Sequence, residues 1–266
     1  MPCAARSRSR SLWLVGWLAG GLRHAPWRLS SCPQLLWDYA PQEHNVARGR
    51  PWTALEERYV QVSENRTGSV YQKARFVQYT DEQFSERVTS SGDDSRGILG
   101  PVLRAEVGDT IHVTFLNRLE DITVSLFAPG LHYDRNSEGI QYNAGGEQPG
   151  AAVPPQGTYE YTWVVYDHAG PGVNDPDSVV RPYFSAVNEE RDFHTGLFGP
   201  VVITRKGMAD SSGAPKDVKS EIFLLVSTCT YARRRQTGTH ARRHAGTDNR
   251  CACSRVSSRR EPELVR

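Results

Sequence analysis

The sequence predicts an all-β fold, an antiparallel sandwich or Greek-key barrel with long loops and few or no helices. Three observations carry this. Short runs alternate apolar and polar residues with a period of two, as in Ile111, Val113 and Phe115 against Thr110, His112 and Thr114. Gly, Pro, Asn and Asp gather between those runs, in Asn143–Gln156 and Gly170–Asp177. No long segment shows helical periodicity, and no internal repeat is evident.

In chain order, residues 1–28 read as a leader. A basic opening (Arg6, Arg8, Arg10) precedes an apolar run, Ser11–Leu22, with small residues at Ala19-Gly20-Gly21 for cleavage. The run is too short to span a bilayer. It predicts a secretory signal peptide and no membrane span; the other reading is non-coding sequence translated as protein. The folded module is expected over residues 29–226. Val102–Asn117 reads as two strands around a Gly108-Asp109 turn. Ile122–Leu126 is a further short strand candidate, followed by Tyr159–Val165, Pro200–Thr204 and Glu221–Val226.

The near-neutral total of +2 hides an asymmetric charge distribution. Met1–Arg28 holds five Arg and no acid, Leu29–Val226 holds 17 basic against 27 acidic side chains, and Ser227–Arg266 holds ten Arg against three acids. An acidic body with two basic ends marks the ends as tails, so residues 227–266 are expected to form a basic, disordered tail. The five cysteines are Cys3, Cys32, Cys229, Cys251 and Cys253, so no disulfide can form within residues 33–228. Asn65-Arg66-Thr67 is a glycan acceptor sequon if the chain is secreted, which places a candidate glycosylation site at Asn65.

Six ordered motifs then carry a resemblance. They are Leu36-Trp37-Asp38-Tyr39-Ala40-Pro41, Arg75–Asp81, Gly97–Thr110, Tyr183–Val187, Arg191-Asp192 and Gly196-Leu197-Phe198-Gly199-Pro200. Together they resemble the A-type domains of the multicopper oxidase family that includes ceruloplasmin, hephaestin and coagulation factors V and VIII. The resemblance spans about residues 35–226. It implies one plastocyanin-like module of cupredoxin type, the first half of a paired A domain.

The same resemblance implies where chemistry belongs. Copper-bearing members read His-x-His at two places, which fall here on Ser125–Gly130 and Arg181–Ala186. The four imidazole positions correspond to Phe127, Pro129, Phe184 and Ala186, and none of these side chains can donate to a metal. The resemblance also implies that Phe127 and Phe184 lie together, filling the former metal pocket as a packing or docking surface. A calcium-binding Asp pair found in some members falls on Gly150-Ala151, which offers no carboxylate. The family's local disulfide falls on Ser178 and Thr204, so roughly 2–4 kcal/mol of disulfide stabilisation is absent.

Other chemistries have weaker signals. His240, His244, Cys251 and Cys253 have zinc-ligand residue types, but Cys-x-Cys lacks the usual spacer. The Arg runs of the tail could meet phosphate backbones, yet scarcely any aromatic residue interleaves with them, and a nucleic-acid partner is not expected. His132 and His194 are candidates for a rearranged metal site, with surface histidine as the ordinary alternative. The expected function is therefore a secreted, copper-free cupredoxin module with a structural or protein-interaction role. No catalytic residue and no cofactor is expected in this chain, although the parent family uses copper. A protein partner or second cupredoxin module is expected to cover an apolar face that a lone first module exposes. The competing class is enzymatic: a piece of a larger ferroxidase that oxidises Fe(II) with copper held in modules absent here.

Overall fold

In the computed structural model the chain is described over residues 27–42, 44–63, 66–88, 97–142 and 148–226. Numbered in chain order, four strands form one sheet: β4 (Val70–Tyr79), β1 (Trp27–Asp38), β6 (Thr110–Asn117) and β7 (Thr158–Val164), in that spatial order. A second sheet has the order β5 (Leu103–Glu106), β9 (Phe198–Thr204), β8 (Ser178–Phe184). β2 (Val62–Ser63) and β3 (Arg66–Thr67) make a separate two-stranded ribbon. The two larger sheets enclose one core. Leu29, Phe76, Val113, Phe115, Tyr161 and Trp163 come from the first, and Leu103, Ala105, Tyr183, Val201 and Ile203 from the second. The expected all-β class is what forms. The antiparallel expectation holds for β1–β4, β6–β7 and β8–β9, whereas β1–β6 and β5–β9 run parallel. Long crossovers bring non-consecutive strands side by side, as Greek-key connectivity requires.

The period-two pattern of residues 110–117 does what it predicts. Ile111, Val113 and Phe115 face the core, and His112 is exposed. β1 starts at Trp27, two residues before the expected module boundary, with Trp27 opposite Val113 and Arg28 opposite Tyr79 and Thr114. The first described residues thus fill the middle of the sheet, between β4 and β6.

β9 is buried along its whole length, and it contains a proline. Pro200 stands opposite Pro182 of β8. The Arg205 N–H donates to the Asp177 carbonyl at 2.8 Å, just outside the Ser178–Thr204 pair. That phase makes Ser178–Thr204 a pair that exchanges no backbone hydrogen bond, and Pro182–Pro200, four residues on, another. Neither proline therefore removes a bond from the β8–β9 ladder. Close packing also demands Gly199: a Cβ there would lie 2.5 Å from the Tyr183 ring. The Tyr183 hydroxyl uses that space to donate to the Pro101 carbonyl at 2.8 Å.

Two short helices come from caps rather than periodicity. α1 (Ala54–Val60) starts at a capping box in which Thr53 and Glu56 satisfy each other's backbone N–H groups. α2 (Glu189–Thr195) starts at Asn188, whose side chain accepts from the Arg191 N–H. It ends at Gly196, whose φ of 111° favours glycine. Two expected strands do not form. Ile122–Leu126 contributes only an isolated bridge, Val124 to Val153. Glu221–Val226 pairs with no strand among the described residues, and Ile222, Leu224 and Val226 are exposed. Glu221 is held by the Arg104 guanidinium instead.

Candidate functional site

The fold brings the two segments singled out by sequence, Ser125–Gly130 and Arg181–Ala186, into direct contact. The Phe127 N–H donates to the Phe184 carbonyl at 2.8 Å, and the Phe184 N–H returns a bond to Phe127 at 2.9 Å. Phe184 can do this because, by the register of β8 on β9, its backbone groups point away from the sheet. The two rings meet edge to face with centroids 5.4 Å apart, and Tyr133 adds a second edge contact on Phe127 at 6.0 Å. Edge-to-face pairs of this kind contribute about 0.5–1.5 kcal/mol beyond their buried area. Both phenylalanines are half-buried, so the ring pair, here called the platform, is partly reached by solvent rather than sealed as a plug.

The same two segments and α2 also share a polar network. Ser125, Ser185 and Asp192 are all fully buried. The Ser125 N–H donates to Ser185 Oγ at 3.1 Å, and the Ala186 N–H donates to Ser125 Oγ at 3.1 Å. Ser185 Oγ in turn donates to Asp192 Oδ2 at 2.6 Å. Asp192 Oδ2 also takes the Asn188 N–H at 3.3 Å, and Asp192 Oδ1 takes Arg191 Nε at 2.7 Å. The carboxylate's charge is thus met by a guanidinium and its oxygens are hydrogen-bonded, the conditions under which a buried charge is tolerated. Sequence reading missed this trio. Ser125 and Ser185 lay inside the quoted windows, but serine has no ligand signature.

Phe127, Pro129, Phe184 and Ala186 carry no side-chain nitrogen, oxygen or sulfur, so the residues at this place do not fit copper. The histidines considered as replacements are engaged elsewhere: the His132 ring packs on Tyr166 at 4.8 Å, and the His194 ring packs on Phe193 at 5.9 Å. Among the described residues no group of three His, Cys, Asp or Glu side chains could hold a metal ion.

At Gly150 the loop is closed to a carboxylate by geometry as well as by sequence. Gly150 is buried, and a Cβ on it would lie 2.3 Å from the Asn136 carbonyl. Its own carbonyl is taken by the Tyr161 hydroxyl at 2.6 Å. That hydroxyl also accepts the Leu126 N–H at 3.2 Å, tying the loop to the first segment. Burial pushes the Tyr161 phenol up from its ordinary pKa. Burial first, and the Glu138 carboxylate second, push Tyr133 up as well.

Ser178 and Thr204 stand directly opposite each other on β8 and β9. Asn65, the tail residues 227–266 with their histidines, cysteines and Arg runs, and residues 1–26 of the leader lie outside the described residues. No helix among the described residues is long and apolar enough to cross a membrane.

A family model described as multicopper oxidase matches residues 79–207. Hephaestin of Homo sapiens is 39% identical over 197 residues, covering 73% of this chain and 17% of that protein. Ferroxidase HEPHL1 of Homo sapiens is 37% identical over 198 residues, with the same two shares, 73% and 17%. Ceruloplasmin of Mus musculus is 35% identical over 210 residues, covering 76% of this chain and 20% of that protein. The chain spans no more than a fifth of the length of these relatives.

Proposed function

We propose that the chain, which a multicopper oxidase family model matches over residues 79–207, is a copper-free module of cupredoxin type with a structural or protein-binding role. One observation carries this reading. The two segments that face each other as metal-binding arms in the family resemblance meet here through the Phe127–Phe184 backbone pair and present only Phe127, Pro129, Phe184 and Ala186. A pair of half-buried aromatic rings suits contact with protein, such as a second cupredoxin module or a separate partner. The signal-like opening and the Asn65 sequon support a secreted, glycosylated product.

The test is the metal content of the purified full chain together with its rate of Fe(II) oxidation. Copper near zero and oxidation at the buffer rate are expected. Stoichiometric copper, or oxidation above the buffer rate, would overturn the reading.

A second reading is favoured by coverage. The chain spans 17% of a relative named as a ferroxidase, and this second reading assigns it as one piece of a larger multicopper ferroxidase whose copper lies in other modules. Intact mass of the naturally produced protein separates the two. A product that continues past Val226 into a further module supports the second reading, and one that stops at Arg266 supports the first.

A further inference from the structure

We propose that Asp192 is the positioning residue of a metal-free latch that holds the Phe127–Phe184 platform in place. This rests on the reading that no copper joins the two segments. Four hydrogen bonds cross between them: Ser125 N–H to Ser185 Oγ, Ala186 N–H to Ser125 Oγ, and the two backbone bonds of Phe127 with Phe184. Two of the four run through serine hydroxyls, and each serine receives the N–H of the opposite segment. The arrangement is reciprocal, so neither serine can leave without freeing a backbone donor of the opposite segment, fully buried at Ser125 and partly buried at Ala186.

Asp192 sets the direction of this exchange. An ionised carboxylate only accepts, so the proton of Ser185 Oγ must point at Asp192 Oδ2. That leaves the lone pairs of Ser185 Oγ to receive the Ser125 N–H. The carboxylate is itself fixed by Arg191 Nε and by the Asn188 N–H at the start of α2. β8 is further tied here because the Ser185 N–H donates to the Leu197 carbonyl at 3.0 Å, at the foot of β9. The chain from α2 through Ser185 and Ser125 to the platform is made of protein groups throughout.

The test uses the full chain and reads amide exchange at Phe127 and Phe184, with the ring-current shifts of their aromatic protons at the edge-to-face contact. Ser185→Ala, Ser125→Ala and the isosteric Asp192→Asn should each speed exchange at those two amides by about tenfold or more and collapse the ring shifts. Amides of Val113 and Trp163, on β6 and β7, should keep their rates. The S125A/S185A double variant should be little worse than either single, because the serines act as a unit. Unchanged rates at Phe127 and Phe184, equal acceleration at all four amides, or additive effects of the two serines would overturn the latch. Copper content measured on the same samples keeps the two ideas apart. Bound copper would overturn the copper-free reading whatever the amides do, and the exchange pattern judges the latch alone.

Discussion

Ser178 and Thr204 face each other across β8 and β9 as a pair whose backbone groups bond to neither partner, the closer of the two kinds of antiparallel pair. Cα atoms in such a pair lie about 4.5 Å apart, within the span a disulfide accepts.

Replacing both, S178C with T204C, is therefore expected to give a disulfide under air oxidation. The chain-entropy relation applied to the loop from 178 to 204 yields about 3.5 kcal/mol of added stability. Thiol titration and denaturant unfolding of the oxidised and reduced forms check it. Two free thiols that persist under oxidant would contradict the register described for β8 on β9.

Thr204 offers a second handle on the same strand. Its hydroxyl is buried and has no hydrogen-bond partner in the structure. Thr204→Val removes that polar atom at nearly constant shape, so stability should rise by about 1 kcal/mol. A loss measured by urea unfolding would show that the hydroxyl is satisfied.

Restoring one imidazole should not restore a metal site. Phe184→His places a single donor beside Phe127, Pro129 and Ala186, none of which can share the ion. Calorimetric titration with Cu(II) is expected to show binding no tighter than that of the unaltered chain. Tight one-to-one binding would reveal ligands supplied from another part of the fold.

Tyr161→Phe deletes the hydroxyl that links Gly150 to Leu126 and leaves a buried carbonyl and a buried N–H facing each other without a bridge. A cost of about 1–3 kcal/mol is expected in chemical unfolding. A neutral result would show that the loop and the first segment are not coupled through this side chain.

Glu56 and Asp81 are held well below the ordinary carboxylate range by local hydrogen bonds. Hydrogen bonds from the Arg50 side chain, above all, hold Glu56 at about 2. The backbone N–H groups of Glu86 and then Ser85 hold Asp81 at about 2 as well. A carboxylate lowered in the folded state stabilises fully above its unfolded pKa, about 4, and loses that contribution as pH falls through its folded pKa. The start of α1 and the turn after β4 should thus keep their structure at pH 3 and lose it towards pH 2. Carbon NMR titration of the two carboxyl groups reads this directly, and ordinary midpoints near 4 would refute it.

What the sequence disclosed depended on the kind of signal. β6 was legible because Ile111, Val113 and Phe115 alternate without interruption, and the Gly108-Asp109 turn marked its start. β8 was not, because Pro182 lies within it and only the register with Pro200 shows that this proline is harmless. β4 was hidden by Lys73 and Arg75, charged residues inside a largely buried strand. α2 is seven residues long, and its signal lies in Asn188 and Gly196 rather than in any period. Glu221–Val226 has the composition of a strand but pairs with no strand among the described residues. The meeting of Phe127 with Phe184 followed from resemblance alone. The buried trio of Ser125, Ser185 and Asp192 needed coordinates, since nothing in three common polar residues tells that they share one network.

The place of β1 sets a limit on processing. Its first residues, Trp27 to Ser31, pair with Val113 to Asn117 on one side while Arg28 to Cys32 pair with Arg75 to Tyr79 on the other. A protease that trimmed the chain past residue 31 would not shorten a loose end. It would pull the middle plank from a four-stranded floor, leaving β4 and β6 a strand's width apart with nothing between them. Any maturation that preserves this sheet must therefore leave the paired stretch of β1 in place.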